Sequence, residues 1–122
     1  MTDVDRQALG RCGEDLAASA YAALGYQCIA RRWRVGRGEL DLVLRRDEVL
    51  VFCEVKTRRG CGWGRPEESV TPRRLQRMRT VARSFLAGHP NPGVREYRFD
   101  VAAVLVDGPR REVRVQLITG VG

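Results

Sequence analysis

Residues 38–59 read GELDLVLRRDEVLVFCEVKTRR, and this stretch constrains the fold more than any other part of the chain. Two largely apolar runs flank the polar pair Asp47-Glu48, a pattern typical of a β-hairpin with a substantially buried second strand. If a loop of two or four residues is centred on that pair, the numbers of paired residues sum to 95. A three-residue loop would break this pairing, so the predicted register depends on the turn.

The segments around the hairpin predict the other elements of the fold. Residues 5–24 and 72–87 have the apolar spacing of helices, and Thr71 followed by a proline is a typical helix start. Further strands are expected over 26–34, 96–106 and 112–119. The helical positions expected to face the core are Leu9, Gly13, Leu16, Ala17, Ala20, Tyr21, Leu24, Leu75, Met78, Val81, Ala82, Phe85 and Leu86. This order predicts one α/β domain over residues 1–122, with a mixed central sheet of about five strands flanked by helices.

Composition narrows the class of protein and of partner. The 122 residues carry a formal net charge of +7, which favours a polyanionic partner such as nucleic acid or an anionic membrane. Heavy use of arginine also follows from genomic base composition, so charge alone is weak evidence. There is neither a basic, apolar leader nor a run of about 18 apolar residues, which predicts a cytoplasmic protein with no membrane partner. The four cysteines are irregularly spaced and the chain has a single histidine, which argues against a structural zinc site. The cysteines are therefore interpreted as small apolar residues.

The predicted hairpin brings acidic residues together. In the register that sums to 95, Asp41 lies opposite Glu54, and Glu39 lies opposite Lys56. Glu54 and Lys56 are two positions apart and project to the same face. Opposed carboxylates repel, so a proton or a cation must relieve the charge. Oxygen ligands without His or Cys favour magnesium, manganese or calcium.

Lys56 is the only lysine among 22 cationic side chains. Its compact ammonium can meet an attacking water or the charge that develops on phosphorus, whereas arginine is bulkier and effectively always protonated. The alternative is an ordinary salt bridge from Lys56 to Glu39 or Glu54, and the residues alone leave both interpretations open.

Several strings of the sequence are together similar to one family. These are LGRCGEDLAASAYAALGY, RRWR, the hairpin GELDLVLRRDEVLVFCEVKTRR, TPRRL and YRFDVAAV, in register over residues ~9 to 119. They resemble the YraN-like family of small bacterial proteins, which are predicted nucleases of the PD-(D/E)xK superfamily and distantly similar to archaeal Holliday junction resolvases. The resemblance implies a restriction-endonuclease-like fold.

By position, the resemblance also assigns a site. Asp41 corresponds to the motif aspartate, Glu54 and Lys56 to the Glu-x-Lys pair, and Glu14 to the acidic residue of the first helix. The resemblance implies that the three acids bind Mg²⁺ or Mn²⁺ and that Lys56 positions the nucleophilic water. From the helical pattern alone, Glu14 would instead be a solvated residue.

Arginines after the hairpin are the candidates for binding nucleic acid. Arg58, Arg59 and Arg65 follow the Lys56 strand into a glycine-rich loop that contains Trp63, and arginine matches phosphate oxygens in pairs. Arg73, Arg74 and Arg77 at the start of the second helix extend this set, although a solvated helical face is an equal alternative. Asp100 interrupts an apolar strand and is expected to contact an arginine or a backbone turn.

The function expected from the residues and the resemblance is a divalent-metal-dependent endonuclease that acts on DNA, with branched DNA such as Holliday junctions as one candidate substrate. The alternative is a non-catalytic nucleic-acid-binding adaptor on the same scaffold, and an RNA-directed role is a third hypothesis. A junction resolvase cuts two strands, which would favour a homodimer. The sequence pattern does not identify a dimer surface.

Overall fold

A computed structural model describes residues 3–59, 70–106 and 112–121, with side chains described from residue 10 onward. The elements are two helices and five strands: α1 (Asp3–Ala23), β1 (Gln27–Val35), β2 (Gly38–Arg46), β3 (Val49–Arg59), α2 (Pro72–Gly88), β4 (Glu96–Val106) and β5 (Val113–Ile118). The order is the one predicted, and the expected boundaries differ from these by at most two residues.

The five strands form one mixed sheet in the order β1-β2-β3-β4-β5. Strands β3 and β4 run parallel, whereas the other neighbours are antiparallel. A parallel pair needs a crossover connection, and the segment that contains α2 supplies it. This confirms the predicted α/β class with a five-stranded sheet flanked by helices, as in the restriction-endonuclease-like description.

The two helices pack against different core clusters. Ala17 and Tyr21 of α1 belong to a cluster that includes Leu42, Leu44 and Val51. Successive residues of a strand face opposite sides of a sheet. The intervening residues Val43, Leu50 and Phe52 therefore belong to a second cluster on the other side of the sheet. That cluster also contains Leu40 of β2 and Val81, Ala82 and Phe85 of α2.

The hairpin register is confirmed over the part that is paired. A two-residue turn joins β2 to β3, and Asp47 takes the left-handed conformation with φ 53°. The paired residues run from Arg46–Val49 to Leu42–Cys53, and each pair sums to 95.

Two glycines allow the helices to approach the sheet closely. A Cβ built at Gly13 of α1 would overlap Thr57 Oγ1 on β3. A Cβ built at Gly38, the first residue of β2, would overlap the Val81 side chain of α2. Each contact presses a helix against the end of the sheet where the acidic residues lie.

A buried polar network ties α1 to β4. Asp100 is 0% exposed and accepts hydrogen bonds from Arg98 Nε and Nη2, both at 2.9 Å. It also accepts from the Tyr21 hydroxyl at 2.7 Å and from the Gly120 backbone N–H at 3.0 Å. The expectation that Asp100 contacts an arginine or a backbone turn is confirmed on both counts.

Several predictions about burial were wrong. Leu24 is 54% exposed because α1 ends at Ala23, and the chain turns at Gly25 with φ 90°. Of the cysteines, Cys53 is buried as expected, but Cys12 and Cys28 are exposed, so they are not core residues. The predictions for Leu9 and Cys61 fall outside the side chains described. No helix in the described ranges is long and apolar enough to cross a membrane.

Candidate functional site

The candidate site lies where β2 and β3 separate. Their ladder ends at Leu42–Cys53, while β2 continues beside β1 to Gly38, and β3 continues beside β4 to Arg59. Asp41 is the first β2 residue beyond this ladder, and its Oδ2 accepts a hydrogen bond of 2.7 Å from the Val55 backbone N–H. The Asp41 side chain thus takes the place of a backbone carbonyl as the acceptor for this N–H group. The sequence predicted that Asp41 and Glu54 would be the next pair of the β2–β3 ladder, but the ladder ends at Leu42–Cys53.

The strand alternation breaks at the same place. Leu40 and Val43 both pack with α2 although they are three residues apart, and so do Ala30 and Trp33 on β1. On β1, Arg32 lies between Arg31 and Trp33, which pair with Leu42 and Leu40, and Arg32 has the left-handed φ of 49°. This conformation is unfavourable for a non-glycine residue, and such strain is concentrated at functional sites. The side-chain alternation of both strands is therefore irregular beside the opening.

Three carboxylates converge at this opening. Oxygens of Glu14, Glu39 and Asp41 all lie within 4.8 Å of one another. Glu14 is only 9% exposed, so the interpretation as a solvated helix residue is wrong. Its place follows from the close contact of the adjacent Gly13 with β3.

Arginines of β1 neutralise part of this charge. Arg32 Nε lies 2.9 Å from Glu14 Oε2, and Arg31 Nη2 lies 3.8 Å from the same atom. Arg34 Nε donates a hydrogen bond of 2.7 Å to Glu39. Glu14 Oε2 is nevertheless buried without a hydrogen bond within the described part of the chain, because the Arg32 N–H is not aligned with it.

The Glu-x-Lys pair lies on the α2 side of the opening. Lys56 Nζ is 3.5 Å from Glu54 Oε1, and Arg74 Nε of α2 is 3.4 Å from the same oxygen. The other oxygen, Oε2, is buried and has no hydrogen bond to any described residue. A cavity of about 150 Å³ includes both Glu54 and Glu39 in its lining, so the acids of the two sides share one opening.

The electrostatics follow from this crowding. Burial raises the pKa of Asp41 from 3.8 to about 7, the Val55 hydrogen bond opposes the shift, and Glu54, Glu39 and Glu14 reinforce it. Burial likewise raises the pKa of Glu14, against the attraction of Arg32 and Arg31. Among the carboxylates that act on Asp41, Glu54 has the largest effect, so the two sides are coupled through the opening. A carboxyl group with a pKa raised to about 7, as for Asp41, holds a proton near neutral pH that a cation can displace.

Among the residues predicted for the site, the structure brings Glu14 and Asp41 together and pairs Glu54 with Lys56. For Glu39 a site carboxylate and a partner of Lys56 were both considered, with the second favoured. Its side chain instead binds Arg34 and joins the three-carboxylate group. The salt bridge proposed as the alternative role of Lys56 is present with Glu54. This salt bridge is compatible with a catalytic role, so the catalytic role of Lys56 stays a prediction.

The arginines predicted to bind nucleic acid differ in their surroundings. Arg58, Arg59, Arg73 and Arg77 are exposed, whereas Arg74 is half-buried against Glu54. Arg65 and Trp63 lie outside the described residues. The contacts of Arg31, Arg32 and Arg34 with the acidic residues were not predicted from the sequence. The available signal was the string RRWR, which puts three arginines on a strand next to an acidic strand.

The comparisons with known proteins give the family. Residues 13–104 match the model of a family described as "Uncharacterised protein family UPF0102". A UPF0102 protein of Acidothermus cellulolyticus is 48% identical, covering 88% of this chain and 90% of the relative. Another, of Frankia casuarinae, is 47% identical, covering 94% and 96%, and one of Chloroherpeton thalassium is 38% identical, covering 85% and 80%. These names state a family and no activity. With a family model that matches most of its length and relatives of this identity, the chain belongs to the uncharacterised protein family UPF0102.

Proposed function

We propose that the chain is a divalent-metal-dependent endonuclease that hydrolyses phosphodiester bonds of DNA. The observation that carries the proposal is the convergence of Glu14, Glu39 and Asp41 at the strand opening, next to the Glu54–Lys56 pair. The proximity of these residues supports the site that the PD-(D/E)xK resemblance implies. Branched DNA, including four-way junctions, is the substrate geometry to test first, because the resemblance extends to junction resolvases.

The residues present fit a magnesium or manganese ion. All the donors are carboxylate oxygens, which suit hard cations, and no His or Cys lies in the three-carboxylate group. Two buried oxygens, Glu14 Oε2 and Glu54 Oε2, have no hydrogen bond within the described ranges. Asp41, Glu14 and Glu54 are the proposed ligands, and the geometry adds Glu39 as a further candidate. A bound divalent ion would supply Lewis acidity toward a phosphate oxygen and its attacking water.

The other roles belong to side chains of this chain. Lys56 is proposed to orient the attacking water and to offset negative charge on the phosphate, while Glu54 holds its ammonium in place. Arg58, Arg59, Arg73 and Arg77 are proposed to bind the DNA backbone, together with Arg65 in the segment after β3. Binding through these groups would weaken steeply with salt.

The test is a cleavage panel with the purified protein on linear, forked and four-way DNA, with magnesium and with manganese. We expect cleavage of at least one geometry, and a loss of about 100-fold or more in rate for Asp41→Asn and for Lys56→Ala. Arg95→Ala, whose side chain pairs only loosely with Glu48 at 3.8 Å, is the matched control and should cut normally. If the folded protein leaves every substrate uncut with either metal, the endonuclease proposal is rejected.

A second candidate is the non-catalytic adaptor, and one observation favours it. Arg32 and Arg34 already contact Glu14 and Glu39, so part of the acidic charge is neutralised without a metal. An adaptor would bind DNA without turnover, and Asp41→Asn would leave its affinity unchanged or improved. Competition of RNA against DNA in the same binding assay tests the RNA-directed alternative.

A further inference from the structure

A second, larger cavity adjoins the candidate site on the α2 side of the sheet. Its volume is about 680 Å³, within the range of about 300–1,000 Å³ that is typical of ligand pockets. Val35, Gly38 and Val81 form an apolar part of its lining, and the close contact of Gly38 with Val81 joins the β1–β2 hairpin to α2 there. We call this cavity the arginine pocket, because Arg37, Arg73 and Arg77 also line it.

These three arginines differ from the arginines of β1. Arg31, Arg32 and Arg34 are all in ion pairs with acidic side chains. Arg37, Arg73 and Arg77 are exposed and have no ion pair with any residue in the described ranges. No acidic side chain in the described ranges neutralises these three arginines, so they can bind an anionic ligand.

Their arrangement matches a phosphate-bearing ligand. Arg73 and Arg77 are four residues apart, so they lie on one face of α2, and Arg37 lies in the turn between β1 and β2. No acidic residue is among the described residues that line the pocket. Guanidinium groups around an apolar surface suit a nucleotide, whose phosphate is anionic and whose base is flat and weakly polar.

The arginine pocket is continuous with the acidic opening. It shares Arg37, Gly38, Arg77 and Val81 with the smaller cavity that includes Glu39 and Glu54. A strand whose nucleotide occupied the pocket would have its next phosphates close to the carboxylates. An unpaired base is free to turn toward apolar side chains, whereas a base in a duplex is held by pairing and stacking, so an apolar lining favours an unpaired base.

We propose that the arginine pocket binds an unpaired nucleotide of a nucleic-acid strand, so that the protein selects a single-stranded segment next to the acidic opening. Arg37, Arg73 and Arg77 bind its phosphates, and Val35 and Val81 contact the base or sugar. This proposal rests on the proposed function for the identity of the strand, but it concerns binding and requires no cleavage.

The test measures binding in EDTA, so that turnover does not interfere. Fluorescence anisotropy of a fluorescein-labelled 20-nucleotide oligothymidine is compared with that of a labelled 20-base-pair duplex across a salt series. We expect tighter binding of the single strand. The triple variant Arg37→Ala/Arg73→Ala/Arg77→Ala should bind the single strand at least tenfold more weakly and lower the slope of log K against log salt by about 2, at about 0.7 per lost phosphate contact.

A matched control removes the same charge from the same helix, α2. Arg83→Ala removes an exposed arginine from the same helix but outside the arginine pocket, and it should change single-strand affinity less than twofold. Val35→Ser replaces an apolar side chain by a small uncharged one, so it tests the apolar part at constant charge, and it should weaken binding of the single strand more than that of the duplex. Thermal melts establish that each variant is folded, and equal losses for Arg83→Ala and Arg77→Ala would overturn the proposal. A triple variant that loses single-strand and duplex binding to the same extent would also overturn it.

The outcome is separable from that of the endonuclease proposal. If the protein binds the oligothymidine through these arginines but never cuts DNA, the pocket stands and the endonuclease proposal fails. If it cuts DNA and the triple variant binds like the unaltered chain, the endonuclease proposal stands and the pocket fails. An oligouridine of equal length that binds at least tenfold more tightly than oligothymidine would support the pocket and assign it to RNA.

Discussion

Two aspartates of the same sheet, Asp100 on β4 and Asp41 on β2, have opposite surroundings. Asp100 is fully buried, yet four hydrogen bonds from Arg98, Tyr21 and Gly120 satisfy its oxygens. Asp41 accepts a hydrogen bond from the Val55 backbone N–H and lies among three other carboxylates that help to raise its pKa to about 7.

The different surroundings of the two aspartates indicate different roles, a structural one for Asp100 and a functional one for Asp41. A buried carboxylate with a complete set of donors stabilises the fold at its position, because removing its partners would leave buried charge. A group of neighbouring carboxylates with few hydrogen-bond donors reduces stability, and such groups are concentrated at functional sites. Four substitutions or conditions can break or sharpen this contrast.

The largest expected effect is from Asp100→Asn. The substitution removes the negative charge between Arg98 and Tyr21 and sets an amide N–H against their donors, so the free energy of unfolding should fall by about 3–5 kcal/mol. Urea denaturation followed by circular dichroism measures this loss. A variant as stable as the unaltered chain would mean that the network around Asp100 does not stabilise the fold.

The same chemical change at Asp41 should have the opposite sign. Asp41→Asn keeps an oxygen for the Val55 N–H but removes a charge that burial and three carboxylates oppose. We expect a gain of about 1–3 kcal/mol in the free energy of unfolding at pH 8 in EDTA. The same urea titration provides the measurement, with Asp100→Asn as its matched control. A loss of stability at Asp41 would remove the contrast between the two aspartates.

The pH dependence should isolate Asp41. Its folded pKa is raised from 3.8 to about 7, so between these values the folded chain holds a proton that the unfolded chain has lost. The stabilising contribution is therefore fully present below pH 3.8, declines between the two pKa values and is lost as the pH rises through 7. Between pH 5.5 and pH 8 the loss amounts to about 2 kcal/mol. Urea titrations in EDTA at pH 5.5 and 8 measure it as the difference between the unaltered chain and Asp41→Asn. Magnesium at pH 8 should restore stability to the unaltered chain only, and equal pH dependence in both proteins would contradict the assignment.

The smallest expected effect is from Tyr21→Phe. Asp100 would lose one donor of its four hydrogen bonds, and the cost should be about 1 kcal/mol, because the other three remain. Tyr97 is exposed, and Tyr97→Phe should change the stability by far less. Differential scanning calorimetry of both variants distinguishes the two positions, and similar melting temperatures would show that the Tyr21 hydroxyl contributes nothing.

Local patterns in the sequence predicted most of the fold. The apolar spacing of α2 and its Thr71 cap, whose side chain accepts a hydrogen bond from the Arg74 N–H, depend on neighbours along the chain. The β2–β3 register likewise follows from a two-residue turn at 47–48, which determines every later pair. Such features are visible in sequence because they involve residues a few positions apart.

The missed features all join distant segments. Glu14 looks solvated on its helix, and only the close contact of Gly13 with β3 buries it beside Asp41. The pairing of Glu39 with Arg34 rather than Lys56 depends on the end of the β2–β3 ladder at Leu42, which the hairpin pattern does not reveal. Arg37 and Arg77 come together in one pocket only when the β1–β2 turn packs on α2.

By itself, the sequence determined the order of the elements and the presence of Asp41, Glu54 and Lys56 on adjoining strands. It also predicted the hairpin register, provided that the turn has two or four residues. The tertiary structure alone decided which carboxylates share one opening, which arginines neutralise them and which arginines remain for a ligand. The physical reason is that periodicity and turn chemistry act over a few neighbouring residues. Burial and Coulomb interactions instead depend on distances between segments that only packing brings together.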